Sequence, residues 1–149
     1  MKTSQEKPSL PLTGQDSEPE AFFSLLCRTI HTVVAATADD RGLPVTCAID
    51  IMDYDDRNLY FLTARGKGFY QRLKARPFMS LTGIMGHDTM SSAAVTVRGR
   101  VEELDEIVLN RLLQKNAYMY EIYPSAESRK ALSAFRLCDG SGEYFDLSV

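Results

Sequence analysis

The sequence predicts a mainly β protein with some helix: an antiparallel barrel of about six strands with flanking helices. Three observations carry this. Segments rich in β-branched residues, or alternating apolar with polar, recur roughly every ten residues between His31 and Glu103. Short turns bearing Gly, Asp or Asn join most of them. Only one connection, the one after Asn58–Thr63, holds a helical segment.

The elements follow in order. Met1 to Pro19 is polar and contains Pro8, Pro11, Gly14 and Pro19, the composition of a flexible tail. Residues 20–149 then form one domain. Glu20 to Arg28 reads as a short helix with Phe22, Phe23, Leu25 and Leu26 as its apolar stripe. His31–Ala38 carries Thr32, Val33, Val34 and Thr37 and reads as the first strand. Asp39–Gly42 is a turn. Leu43–Met52 is the second strand, with Val45, Cys47, Ile49 and Ile51 alternating with Thr46, Ala48, Asp50 and Met52. Asn58–Thr63, the third, is nearly all apolar and so expected to be buried on both faces. A basic helix, Gln71 to Arg76, stops at Pro77. Phe78–Ile84 is the fourth strand, Met85–Ser92 a loop and Ala93–Glu103 the fifth strand. Asp105–Tyr120 reads as a helix with Ile107, Val108, Leu112 and Leu113 inward. A second helix is expected from Pro124 to Ala134, then a turn at Asp139–Gly142 and a terminal strand at Glu143–Leu147.

Composition narrows the function. The net charge of −3 over 149 residues argues against a nucleic-acid binder. The cations are nonetheless clustered, with Arg65, Lys67, Arg72, Lys74 and Arg76 inside twelve residues. In an acidic protein that pattern suggests one anionic ligand. Cys27, Cys47 and Cys138 are far apart and odd in number, which fits reduced thiols in a cytoplasm better than a disulfide framework or a zinc site. No apolar run reaches the ~18 residues of a membrane span. His31 and His87 have no metal-ligand spacing.

The densest chemistry is Leu59-Tyr60-Phe61-Leu62-Thr63-Ala64-Arg65-Gly66-Lys67-Gly68. A strand delivers a hydroxyl, a guanidinium and an ammonium to one turn, a set suited to phosphate. Two glycines let backbone amides approach an anion. The helix that follows aims its positive end at the same place. The bland alternative is a solvated loop beside a basic helix. Arg98 alternates away from the apolar face and reads equally as a ligand contact or as the partner of a neighbouring carboxylate. Asp50, inside an apolar strand, reads as a ligand contact, an interface group or a water-facing edge residue. Cys47 reads as a small core residue or as a neighbour of the ligand. Tyr118, Tyr120 and Tyr123 read as ordinary packing, an interface or a substrate wall.

Thr32 to Pro44, Leu59 to Lys67 and Val-Arg-Gly-Arg-Val (Val97 to Val101), in this order and spacing, resemble the pyridoxamine 5'-phosphate oxidase-like FMN-binding split-barrel family. The resemblance covers about Glu20 to Val149. It implies a split β-barrel and a homodimer with FMN at the subunit interface. It implies that Thr63, Arg65 and Lys67 meet the flavin phosphate, beside Leu62. The ring would lie along Thr46, Ala48, Ile49 and Asp50 and near Thr82, with Arg98 as a further candidate. It does not extend to pyridoxamine oxidation, because the ending Gly142-Glu143-Tyr144-Phe145-Asp146-Leu147 differs from that of the full oxidase. The implied activity is that of an FMN-dependent oxidoreductase or flavin reductase with a nicotinamide or protein electron donor. The alternatives are a non-enzymatic flavin-binding or electron-relay module, a split barrel binding deazaflavin or haem, and a barrel without a cofactor.

Overall fold

The computed structural model describes Gln5–Glu6 and residues 18–147. Most of the expected tail lies outside the described residues. Within it, β1 (Gln5–Glu6) pairs with Asp146 and Phe145, and α1 (Glu18–Ser24) begins just before residue 20.

Six longer strands close the barrel: β2 (Thr32–Ala38), β3 (Pro44–Tyr54), β4 (Leu59–Ala64), β5 (Phe78–Met85), β6 (Ala93–Glu103) and β7 (Leu132–Asp146). Their order is β7-β4-β3-β2-β5-β6, and a β6–β7 pairing returns the sheet to its start. Every pair is antiparallel. The helices are α2 (Gly68–Ala75), α3 (Glu106–Lys115), α4 (Met119–Ile122) and α5 (Ala126–Arg129).

Inward-facing residues of successive strands fill the barrel: Val33 and Ala35, Ile49 and Ile51, Leu59 and Phe61, Leu81, Val95 and Val97, Phe135 and Leu137. Phe61 and Phe135 stack at 5.5 Å with their planes 11° apart. Phe22, Phe23 and Leu26 close one side, and Phe69 and Leu73 of α2 another. A second cluster explains why β4 is apolar on both faces. Tyr60 and Leu62 point outward with Met52 and pack beneath Leu109, Leu112, Leu113 and Met119. The helices therefore cover β3, β4 and the start of β7. The outer face of β2, β5 and β6 stays open, with Val34, Phe78 and Ile84 exposed.

Four expectations need correction. The helix after Asp105 is two helices: Asn116 turns its side-chain amide to the carbonyls of Met52 and Leu112, both at 2.8 Å, and α3 ends there. Ile107 is 80% exposed, because Leu109, Leu112 and Leu113 set the buried stripe and Ile107 falls outside it. The helix expected to Ala134 is one turn, capped by Ser125 and Ser128. Leu132–Ala134 instead belong to β7, since pairing with Ala64–Leu62 buries them on both sides. Asp139–Gly142 is no chain reversal but an irregularity within β7, where Arg98 pairs with Ser141 and Arg100 with Cys138. Asp139 takes φ 52° there, a left-handed conformation that Asp tolerates. Gly99 faces it, and a Cβ on Gly99 would lie 2.5 Å from the Cys138 carbonyl oxygen.

Candidate functional site

Beyond α1 the chain widens into a π-helical turn, Leu25–Ile30, and ends it at His31 with φ 65° and ψ −59°. That non-glycine conformation is strained. It turns the chain sharply into β2 and sets the His31 ring beside β3.

On the helix-covered side, at its border with the open face, lies a cavity of about 310 Å³. This is near the lower end of small-molecule sites, ~300–1,000 Å³. Ala48, Ile49 and Asp50 of β3 form one wall, and Leu62, Thr63 and Ala64 of β4 another. Met119 and Ile122 of α4, with Tyr123 just beyond its end, overhang it, and Lys67 and Phe69 close the end nearest α2. Six of the candidate residues, Ala48, Ile49, Asp50, Leu62, Thr63 and Lys67, thus share one space. Thr46, Arg65, Thr82 and Arg98 do not line it. Thr46 is exposed on the outer face of β3. The Thr82 hydroxyl hydrogen-bonds that of Thr96 at 3.0 Å, two strands from β3. Arg98 lies in a broader open trough with Phe78, Ser80 and Ser141.

The basic cluster divides in function. Arg65 donates to the Lys130 carbonyl at 2.8 Å and lines a separate groove with Asp105 and Arg129. Arg72 donates to the Thr37 hydroxyl at 2.7 Å, and Lys74 pairs with Glu103 at 2.9 Å. Arg76 reaches the Asp40 carbonyl at 3.3 Å. Four of the five cations thus brace α2 and the β4–α2 turn. Of the five, only the Lys67 side chain makes no hydrogen bond or ion pair among the described residues; its backbone N–H donates to the Ala64 carbonyl at 3.1 Å. The Thr63 hydroxyl, on a residue only 6% exposed, makes no side-chain hydrogen bond among them either. Lys67 also stands at the N-cap of α2 without a side-chain cap, leaving the first amides of that helix open. Gly66 and Gly68 keep ordinary negative φ values, and a Cβ on Gly66 would meet nothing within 4 Å. The loop therefore does not need glycine for its own shape.

The cavity's electrostatics run from cationic to acidic. Near Lys67, burial pushes the Cys47 thiol up, against the lowering influence of Arg72 and Lys67; Cys47 is a protonated wall residue. Asp50 stands at the other end, accepting from Thr32 at 2.6 Å and from Tyr118 at 2.8 Å. Burial foremost, and then the hydrogen bond to Asp50, pushes the Tyr118 phenol well above its ordinary range. Sequence reasoning missed Thr32, Met52, Ala64, Phe69, Met119, Ile122 and Leu132 as lining residues. It offered a place beside the ligand for Cys47 and a substrate wall for Tyr123 among their alternatives, and both line the cavity. No group of His, Cys, Asp and Glu side chains suited to a metal occurs among the described residues.

A sequence profile of the pyridoxamine 5'-phosphate oxidase family matches residues 20–138. No curated protein matches the sequence. Among solved structures, a conserved hypothetical protein of Mycobacterium tuberculosis superposes with TM-score 0.69 at 14% identity, over 95% of this chain and 91% of that one. A Clostridium acetobutylicum protein related to general stress protein 26 of B. subtilis, of the pyridoxinephosphate oxidase family, gives 0.67 at 20% identity over 87% and 92%. A FAD-binding protein of Mesorhizobium loti gives 0.58 at 20% identity over 81% and 94%.

Proposed function

Because the chain belongs to the pyridoxamine 5'-phosphate oxidase family, we propose that it is a flavoprotein holding FMN in the β3–β4 cavity, and that it works as an oxidoreductase or flavin reductase. The observation that carries this is the pairing of an uncommitted ammonium, Lys67, with an unpartnered hydroxyl, Thr63, in one cavity at the uncapped start of α2. That donor set fits a phosphate. The fold-level neighbour described as FAD-binding supports a flavin of some kind.

In this reading Lys67 and Thr63 hold the phosphate, and the β3 edge at Ala48–Asp50 orients the ring. Leu62, Met119 and Ile122 exclude water from it. Flavin supplies the electron transfer, and the protein supplies position and electrostatics. Arg65, tied to the Lys130 carbonyl, braces the loop.

A second copy of the chain completes the site. The open face of β2, β5 and β6 carries Val34, Phe78 and Ile84 at 52%, 63% and 66% exposure on adjoining strands. A face of this kind is suited to burial against a copy of itself. Thr82 and Arg98 lie on it and would then serve the partner's cavity rather than their own. The electron donor in this reading is a nicotinamide or a protein, and the three free thiols fit a reducing cytoplasm.

The test is to purify the protein without added cofactor, denature it and identify the released molecule by absorbance and mass. FMN near one per subunit is expected. A protein that is empty and ignores added FMN refutes the proposal, and release of deazaflavin or haem replaces it with those readings. Turnover with a nicotinamide donor then separates an enzyme from a flavin store.

A further inference from the structure

A second groove, of about 560 Å³, shares only the Leu132 wall with the β3–β4 cavity. Its size falls within the ~300–1,000 Å³ of small-molecule sites. Its floor is apolar, with Leu104 beside the buried Leu109, Leu113, Leu132 and Ala134. Two arginines line it: Arg65 from the β4–α2 turn and Arg129 from α5.

The backbone holds both guanidiniums in place. Arg65 Nη1 donates to the Lys130 carbonyl at 2.8 Å, and Arg129 Nη1 to the Tyr123 carbonyl at 2.9 Å. The Arg129 guanidinium also lies over the Tyr120 ring, 5.1 Å from its centre, and the residue is half-buried. Neither arginine meets a carboxylate among the described residues. A guanidinium has more N–H donors than one carbonyl can use, so both keep donors for a ligand. Both are also ordered before any ligand arrives, which lowers the entropic cost of binding.

The chain itself shows what a pair of arginines holds when a carboxylate is within reach. Glu102 accepts from Arg100 at 2.5 Å and from Arg136 Nε at 2.7 Å. The groove of Arg65 and Arg129 lacks that third member. Its other charges do not supply one. Lys130 is a further cation, tied to Glu127 at 3.1 Å with both side chains largely exposed. On the α3 wall, Asp105 caps the helix by accepting from the Val108 amide at 3.1 Å, and Glu106 is exposed. The groove is therefore cationic toward α5, acidic toward α3 and apolar between them.

We propose that this groove binds a small organic oxyanion, a carboxylate or phosphate monoester on an apolar body. Arg65 and Arg129 hold the charged group, whose paired oxygens match the guanidinium fork. The body lies over Leu109, Leu113 and Ala134. The site is separate from the cavity that holds Lys67, and it does not rest on the flavin reading.

The test uses the full chain carrying Lys67→Ala, so that the β3–β4 cavity does not compete for the anion. Phenyl phosphate and phenylacetate are the probes, and inorganic phosphate is the control without a body. Each is titrated against the Nε–Hε NMR signals of Arg65 and Arg129. We expect one or both probes to shift both signals saturably, with a dissociation constant of about 1 mM. The tighter probe identifies the anion. Inorganic phosphate should bind roughly threefold more weakly or worse, because it buries no apolar surface. Arg65→Gln and Arg129→Gln should each weaken the probe about tenfold or more. Arg129→Lys keeps the charge without the fork and should restore only part of the affinity. Glu106→Gln removes a like charge from the facing wall and should tighten binding about twofold. Glu106 is exposed, so this variant reports on the groove even where an arginine variant loosens α5. No saturable shift with either probe overturns the proposal, as does inorganic phosphate binding equally well. Affinity that none of these substitutions changes also overturns it, since the anion then sits elsewhere. Failure of the parent protein to bind FMN, with the shifts intact, removes the flavin reading and leaves this site standing.

Discussion

Replacing Lys67 with Ala separates a phosphate site from a solvated loop. The Lys67 side chain has no hydrogen-bond or ion-pair partner among the described residues and is exposed, so its removal should leave folding stability within about 0.5 kcal/mol of the parent. Its loss should be felt only by a ligand carrying an anion at that end of the cavity. A hydrogen bond to a charged group contributes roughly 1.5–3 kcal/mol. At 1.4 kcal/mol per tenfold, the dissociation constant for FMN should rise about 10- to 150-fold. Riboflavin has the same ring without the phosphate, so its affinity should not change. Quenching of flavin fluorescence on titration measures both constants with one readout. Arg65→Ala is the internal comparison: its guanidinium holds the Lys130 carbonyl, so its effect should be smaller and shared by FMN and riboflavin. The reasoning fails if Lys67→Ala weakens both ligands equally, or if FMN binding is unchanged.

Three further outcomes are expected. Burial works to raise the Glu103 carboxyl, but hydrogen bonds from Ser133, Lys74 and Tyr70 together outweigh it and hold the group at about 2. A depressed carboxyl stabilises the fold above its unfolded value and loses that contribution as pH falls from about 4.5 toward 2. The shift corresponds to about 3 kcal/mol, which partial exposure screens to about 1–2 kcal/mol. Glu103→Gln should therefore lower the urea midpoint at pH 7 and flatten its acid dependence; an unchanged pH profile would count against this. Phe61→Ala leaves a void against the stacked Phe135 ring and should cost about 3–5 kcal/mol by denaturant melt. Ile84→Lys places a charge on the open sheet face and should convert a sedimenting dimer into a folded monomer; a parent that sediments as a monomer refutes that interface.

The fold was legible where local pattern and tertiary need agree. Val45, Cys47, Ile49 and Ile51 alternate because one side of β3 faces the barrel. β4 reads as apolar throughout because helices cover its outer side, and the sequence shows both facts directly. The reading failed where the two disagree. Leu132–Ala134 continue a helical composition, yet the edge of β4 offers them hydrogen bonds and burial that a lone helical turn cannot match. Asp-Gly-Ser-Gly at 139–142 is the composition of a turn, but also of a strand irregularity. The choice between them depends on β6 lying alongside, a partner some forty residues away.

The site was legible in the same uneven way. A strand ending in Thr63 and running into Lys67 puts both groups in one cavity, because four residues cannot carry them far apart. The neighbouring cations carry the same charge and similar spacing, and nothing local tells Lys67 from Arg65, Arg72, Lys74 or Arg76. Their difference lies in partners from distant segments: the Lys130 carbonyl, Thr37, Glu103 and the Asp40 carbonyl. The acidic end shows the limit most clearly. His31 immediately precedes β2, and pairing of β2 with β3 sets Thr32 opposite Asp50, which a hairpin reading could have found. Tyr118 arrives from a loop that exists only because Asn116 ends α3 against β3. Without that loop the carboxylate and the imidazole are a surface pair; with it, one hydroxyl bridges them across the rim of the cavity.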